Sequence, residues 1–145
     1  MLGLINYMKC IFGIVLVIVF FLITSSSYTS RQIEYYSNKS NYISAKGEVS
    51  NIEYNEDGDV LYITFSNISE PFSDTRFKIV GENLLVVKSN GIDQKVKIGN
   101  EVEFISATKY FGDGYVMPIV GLSLEEEVLL EFEVGYDNLI EWLKS

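Results

Sequence analysis

The strongest constraint on this chain is an uninterrupted apolar run near its N-terminus. Every residue from Ile11 to Ile23 is apolar or glycine, and residues 2–8 are nearly as apolar. A transmembrane helix needs about 20 such residues, whereas a signal peptide needs an apolar stretch of about 7–15. Residues 1–24 are therefore predicted to form one helix, either a membrane anchor or a cleaved signal peptide. Its lipid-facing side chains would be Ile11, Phe12, Val15, Val19, Phe20, Phe21 and Ile23.

Both interpretations place the rest of the chain across the membrane. We favour the retained anchor, because no Ala-x-Ala cleavage site follows the run. The lipid bilayer is then the first predicted partner. The short flank before the run favours a single-pass protein with a cytoplasmic N-terminus and an extracytoplasmic C-terminal domain. Cleavage at Ser25 to Ser27 would instead yield a secreted protein.

Charge is as segregated as hydropathy. Lys9 is the only charged side chain before Arg31, and the remainder of the chain carries ten basic and 20 acidic residues, a formal charge of −10. Such a field repels phosphate backbones, so nucleic acid is excluded as a partner. It favours solubility and cationic partners.

Several catalytic classes are excluded by composition. The chain has no histidine, and its one cysteine, Cys10, precedes the apolar run directly. Ser-His-Asp and Cys-His nucleophiles, histidine metal sites and an intrachain disulfide are therefore ruled out. No phosphate-binding glycine-rich loop is present. We predict no catalytic, cofactor-binding or metal-binding residue. A small carboxylate-dependent enzyme acting on cell-surface material is the alternative.

The segment after the apolar run divides in two. Residues 25–41 are rich in Ser, Tyr and Asn and predict a polar spacer without structure of its own. Residues 42–145 form the predicted β-rich globular domain. Gly47 to Tyr54 and Val60 to Phe65 are rich in β-forming residues and predict a pair of strands.

The connection between these strands, Asn55 to Asp59, contains Asp-Gly, a strong hairpin signal. Its acidic residues also suggest a calcium loop. A calcium loop requires a bidentate Glu at its twelfth position, where this chain has Thr64. We therefore predict a hairpin turn.

The second half of the domain is predicted to contain further short strands. Leu84 to Val87 is apolar at every position, which predicts a strand buried on both faces, and apolar residues at spacing two predict another from Val128 to Val134. The spacing of the apolar residues then changes from two to three or four, and residues 136–144 are predicted to form a terminal helix. Trp142 lies off its apolar stripe and is either a rim residue or an exposed contact.

The predicted fold class is mainly β (α+β), with five or six strands and a C-terminal helix. Lys46-Gly47-Glu48-Val49 and Ile98-Gly99-Asn100-Glu101-Val102 resemble the phrases that open strands in OB-like small β-barrels. The resemblance covers residues 42–122 and implies such a barrel, although no helix is apparent between the third and fourth strands. Other small barrels and a strongly bent antiparallel sheet remain open.

One loop is the candidate partner-binding site. Three aromatic residues flank a glycine-rich turn, and aromatic side chains give large contact areas at low entropic cost. The candidate residues are Tyr110, Phe111, Asp113, Gly114 and Tyr115. The alternative is a tight hairpin whose aromatic side chains cap the barrel. The sequence as a whole predicts a membrane-tethered, non-catalytic binding or assembly module for a protein, peptide or glycan.

Overall fold

A computed structural model describes residues 2–72, 76–108 and 116–145. The chain divides into two compact units, Met1–Glu34 and Tyr35–Ser145. It is an α+β fold whose elements, in chain order, are α1 (Leu2–Tyr36), β1 (Tyr42–Tyr54), β2 (Val60–Ile68), β3 (Arg76–Val80), α2 (Gly81–Ser89), α3 (Ile92–Lys95), β4 (Glu101–Ala107), β5 (Met117–Leu124), β6 (Glu127–Leu130) and α4 (Phe132–Lys144).

Helix α1 is long and apolar enough to cross a membrane. A signal sequence has the same properties, so both interpretations of the N-terminus remain. The segment predicted to be a polar spacer, residues 25–41, is helical as far as Tyr36, because α1 continues into it. Extending an existing helix costs little, since each added residue brings one hydrogen bond. Hydroxyl side chains are tolerated within a helix, and that of Thr24 donates to the carbonyl of Phe20.

The last two residues of α1, Tyr35 and Tyr36, belong to the second unit and are capped by side chains of that same unit. The last carbonyls of a helix have no partner within the helix. The carbonyl of Tyr35 accepts a hydrogen bond from the Asn41 amide (2.8 Å), and that of Tyr36 from the Tyr42 hydroxyl (2.8 Å). Burial, together with the neighbouring tyrosines, raises the pKa of Tyr42, so its hydroxyl keeps its proton and donates.

The six strands form one sheet in the order β3-β2-β1-β4-β5-β6, in which neighbours are antiparallel. Strand β1 is long enough to pair twice. Tyr42–Glu48 pairs with β4, and most of the remainder pairs with β2. In addition, β3 pairs in parallel with β5.

The core lies between the inward faces of the strands and helix α2. Alternate residues of β2 and of β4 are buried, as a half-buried strand requires, and include Leu61, Ile63, Val102 and Phe104. A second, smaller cluster lies around Leu139 of α4, with Tyr36, Ala107 and Val120. Helix α4 thus packs its predicted apolar stripe against β5.

The predicted hairpin between β1 and β2 is confirmed. Gly58 adopts the positive φ (73°) that favours glycine, and the backbone N–H of Asn55 donates to the carbonyl of Val60. The Asn55 side chain accepts hydrogen bonds from the N–H groups of Asp59 and Val60 and holds the turn together. The local signals were therefore sufficient here.

Two strand predictions in the second half are wrong. Leu84 to Val87 lies in helix α2, where Leu84 and Val87 are buried and Leu85 is exposed. The predicted strand from Val128 to Val134 ends at Leu130, and α4 begins at Phe132. A fully apolar run of four residues has no period that distinguishes a strand from a helix. Helices α2 and α3 therefore do separate the third and fourth strands.

Candidate functional site

The predicted partner-binding loop lies outside the described residues. Tyr110, Phe111, Asp113, Gly114 and Tyr115 fall between the end of β4 at Ala107 and the start of β5 at Met117. Their role as a binding loop stays a prediction.

The predicted lipid-facing residues all lie on α1 and are exposed. An exposed apolar surface of this kind is compatible with a membrane-spanning helix or with a signal sequence. The seven residues are Ile11, Phe12, Val15, Val19, Phe20, Phe21 and Ile23.

The second unit has a groove of about 570 Å³, a size typical of ligand sites. Three elements meet there: the β1–β2 turn, helix α2 and the second half of α4. Its lining residues are Gly58, Asp59, Gly81, Glu82, Leu84, Leu85, Lys88, Asn138, Glu141, Trp142 and Ser145.

The apolar part of the groove is formed by α2 and α4. Leu84 is buried, whereas Leu85 is 58% exposed and Trp142 is 42% exposed. The indole of Trp142 packs over Gly81, which has a φ of +58°, and a Cβ at Gly81 would lie 2.8 Å from the ring. Glycine at this position therefore lets the tryptophan pack closely against the backbone at the groove edge, while 42% of the side chain stays exposed to solvent.

The charged part of the groove is negative. Asp59, Glu82 and Glu141 are exposed, and none belongs to an ion pair among the described residues. The one cation of the lining, Lys88, is bound to neutral groups and not to these carboxylates. Its ammonium donates to the carbonyl of Gly58 (3.3 Å) and lies 4.5 Å from the centroid of the Tyr54 ring.

An aromatic and cationic surface adjoins the groove on the outward face of β2 and β3. The Arg76 guanidinium lies 4.0 Å from the centroid of the Tyr62 ring and pairs with Glu53 (3.0 Å). Lys78 lies opposite Tyr62 in the register, and its ammonium is 5.7 Å from the Trp142 ring. Burial lowers the pKa of Lys78. Arg76, Tyr62 and Lys78 thus form a row of neighbouring side chains that ends at Trp142, a residue of the groove lining.

A second cleft, of about 440 Å³, lies beside α3. Within it the Tyr54 hydroxyl donates to Asp93 (2.6 Å), and burial followed by this hydrogen bond raises the pKa of Tyr54. Because its principal polar groups are already paired with each other, this cleft offers a ligand less than the groove does.

Sequence reasoning recognised only one residue of the groove as a possible exposed contact. Trp142 stood out as lying off the apolar stripe of α4, and its exposure agrees with a rim position. Gly58 and Asp59 were recognised only as part of the hairpin turn, and Leu84 and Leu85 only as part of an apolar run. The lining residues come from three separate segments, so only the fold brings them together.

No known protein-family model matches this chain, and none of the curated proteins matches it.

Proposed function

We propose that this chain is a non-catalytic binding module, built on an OB-like barrel and held outside the cytoplasm by its N-terminal helix. The strand pairings support the barrel. In the order β1-β2-β3-β5-β4 each strand pairs with the next, and β4 pairs back with β1, so the pairings run in a ring. Helices α2 and α3 lie between β3 and β4 in the chain. OB-folds are five-stranded Greek-key barrels of this kind.

The observation that carries the binding role is the groove with its half-exposed tryptophan. It lies at the β1–β2 turn and adjoins the outward face of β2 and β3. In OB-folds the ligand occupies the face of strands two and three together with the loop between strands one and two. This comparison is an analogy at the level of the fold. The exposed Trp142 and Leu85 support a binding role in this chain itself, because exposed aromatic and aliphatic side chains are typical binding contacts.

A carboxylate-dependent enzyme is the alternative. Such an enzyme needs two carboxyl groups at one reaction centre, with the acid group shielded from water so that it stays protonated. Asp59, Glu82 and Glu141 share the groove, yet all three are exposed. Their exposure favours the recognition of a ligand over proton transfer.

The tethered location predicts a protease-protection result. Protease added to intact spheroplasts should degrade Tyr35–Ser145, because the unit faces the outside, while a cytoplasmic marker survives. Protection that ends only when the membrane is permeabilised would contradict the proposed orientation. N-terminal sequencing of the mature chain then separates the anchor from the secreted form, which would begin near Tyr28.

The binding role predicts a position-dependent cross-link. A photoreactive amino acid in place of Leu85 should capture a discrete partner in native membranes, and Trp142→Ala should abolish that product while circular dichroism shows that the domain stays folded. The matched control is the same amino acid in place of Val128, which is also exposed but lies on β6, outside the groove. Equal products from both positions, or no effect of Trp142→Ala, would contradict the role of the groove.

A further inference from the structure

We infer that the groove receives a peptide segment in which a Lys or Arg side chain stands beside an apolar one. The inference rests on the proposed binding function and names the class of its ligand. It is based on the carboxylates of the groove and on the exposed apolar side chains that lie beside them.

The carboxylates of the groove outnumber its one lining cation, Lys88, and none of them forms an ion pair with it. Glu82 and Glu141 are exposed and belong to no ion pair among the residues that the structure describes. Glu141 lies near the C-terminus of α4, where the helix dipole disfavours a negative charge. A bound ammonium or guanidinium would offset this repulsion as well as pair with the carboxylate.

The chain's own lysines indicate which chemistry suits this region. The Lys88 ammonium lies over the Tyr54 ring and against the carbonyl of Gly58, and Lys78 lies over Trp142. Aromatic faces and carbonyl oxygens attract cations. The three carboxylates outnumber the one lining cation, Lys88, so the groove keeps a net negative charge, which is the complement of a basic ligand.

The apolar part of the groove distinguishes a peptide from a free cation. Leu85 and Trp142 expose apolar surface next to Glu82 and Glu141, so a ligand that has only charge would leave that surface in contact with water. A basic residue followed by an aliphatic one satisfies both parts. Anionic polymers are disfavoured by the same carboxylates and by the formal charge of −9 on the whole chain.

The single tryptophan makes the test site-specific, because Trp142 is the only source of indole fluorescence in the chain. The full chain is placed in phosphatidylcholine bicelles, and its fluorescence is followed on titration with acetyl-Lys-Leu-Lys-Leu-Lys-amide. The uncharged acetyl-Gln-Leu-Gln-Leu-Gln-amide and chitotetraose are titrated in parallel, with empty bicelles as the blank. We expect the basic peptide to change the Trp142 emission and to bind about tenfold more tightly than the uncharged peptide.

Charge-removing variants separate the groove from the general field of the protein. Glu82→Gln with Glu141→Gln should weaken binding of the basic peptide about five- to tenfold, and added salt should weaken it further. The matched control, Glu126→Gln with Glu131→Gln, removes the same charge from exposed positions outside the groove lining. It should change the dissociation constant less than about twofold.

The outcomes distinguish this inference from the proposed function. Equal affinity for the two peptides, or an equal loss in the control variant, would overturn the basic-peptide ligand. A response of Trp142 to chitotetraose alone would also overturn it, while leaving the groove as a binding site, now for a glycan. If Trp142 responds to none of the three probes, the basic-peptide ligand is also overturned. The cross-link from position 85 then tests separately whether the groove binds any partner.

Discussion

Substitution of Gly135 by Ala is expected to lower the free energy of unfolding by about 3 kcal/mol, one of the largest effects of any single methyl group in this chain. Gly135 lies in the second turn of α4, and a Cβ there would be 2.0 Å from the carbonyl oxygen of Val120 on β5. The helix would have to move away from the strand. That movement would also strain the hydrogen bond from the buried Asn83 amide to the carbonyl of Gly135 (2.8 Å).

Whether Gly135→Ala stabilises or destabilises the protein tests the close approach of α4 to β5 directly. On helix propensity alone, Gly→Ala inside a helix stabilises by about 1 kcal/mol. Thermal unfolding of the full chain should instead show a drop of roughly 10–15 °C in Tm. The matched control is Gly13→Ala, since Gly13 is also helical but has no atom within 4 Å of a built Cβ. A Gly135→Ala protein as stable as the unsubstituted chain would show that α4 does not touch β5 in this way.

Elements with a strong local signal could be predicted from the sequence. The β1–β2 hairpin was predictable because Asp-Gly supplies a residue suited to positive φ between two β-forming runs. The apolar stripe of α4 was predictable because Leu139, Ile140 and Leu143 recur at helical spacing. The long apolar helix was predictable from composition alone.

Elements that depend on distant partners could not be predicted. Gly135 directly follows the strand predicted from Val128 to Val134, whereas it lies inside α4, where its missing side chain lets the helix approach β5. Residues 84–87 were expected in a strand, and helix α2 places Leu84 and Val87 in the core instead. In each case a tertiary contact outweighs a local preference that the sequence expresses only weakly.

The groove shows the same limit at the level of the site. Glu82, Glu141 and Asp59 are unremarkable among 20 acidic residues, and nothing in their spacing brings them together. Their common location follows from the packing of α2 against α4 and from the position of the β1–β2 turn. Trp142 alone was visible in advance, since a large aromatic residue off the apolar stripe of a helix has to be exposed or to cover a neighbour.

Truncation of Phe104 to Ala is expected to lower the free energy of unfolding by about 3–5 kcal/mol, the range for a buried aromatic residue. Phe104 is fully buried on β4 at the centre of an aromatic cluster. Its ring stacks on that of Phe65, with centroids 4.7 Å apart and planes inclined by 8°, and lies 4.8 Å from that of Phe77. Removal of the ring leaves a cavity that these neighbours, fixed on two other strands, can fill only in part.

A double-substitution cycle separates ring stacking from the burial of apolar area. Phe104→Leu and Phe65→Leu each keep most of the volume but remove one ring, and the coupling of a stacked pair beyond its buried area is about 0.5–1.5 kcal/mol. We expect the double variant to lose less stability than the sum of the two single variants, because the first substitution already removes the stacked pair. Chemical denaturation of all four proteins provides the free energies. Strict additivity would mean that the two rings contribute only buried area.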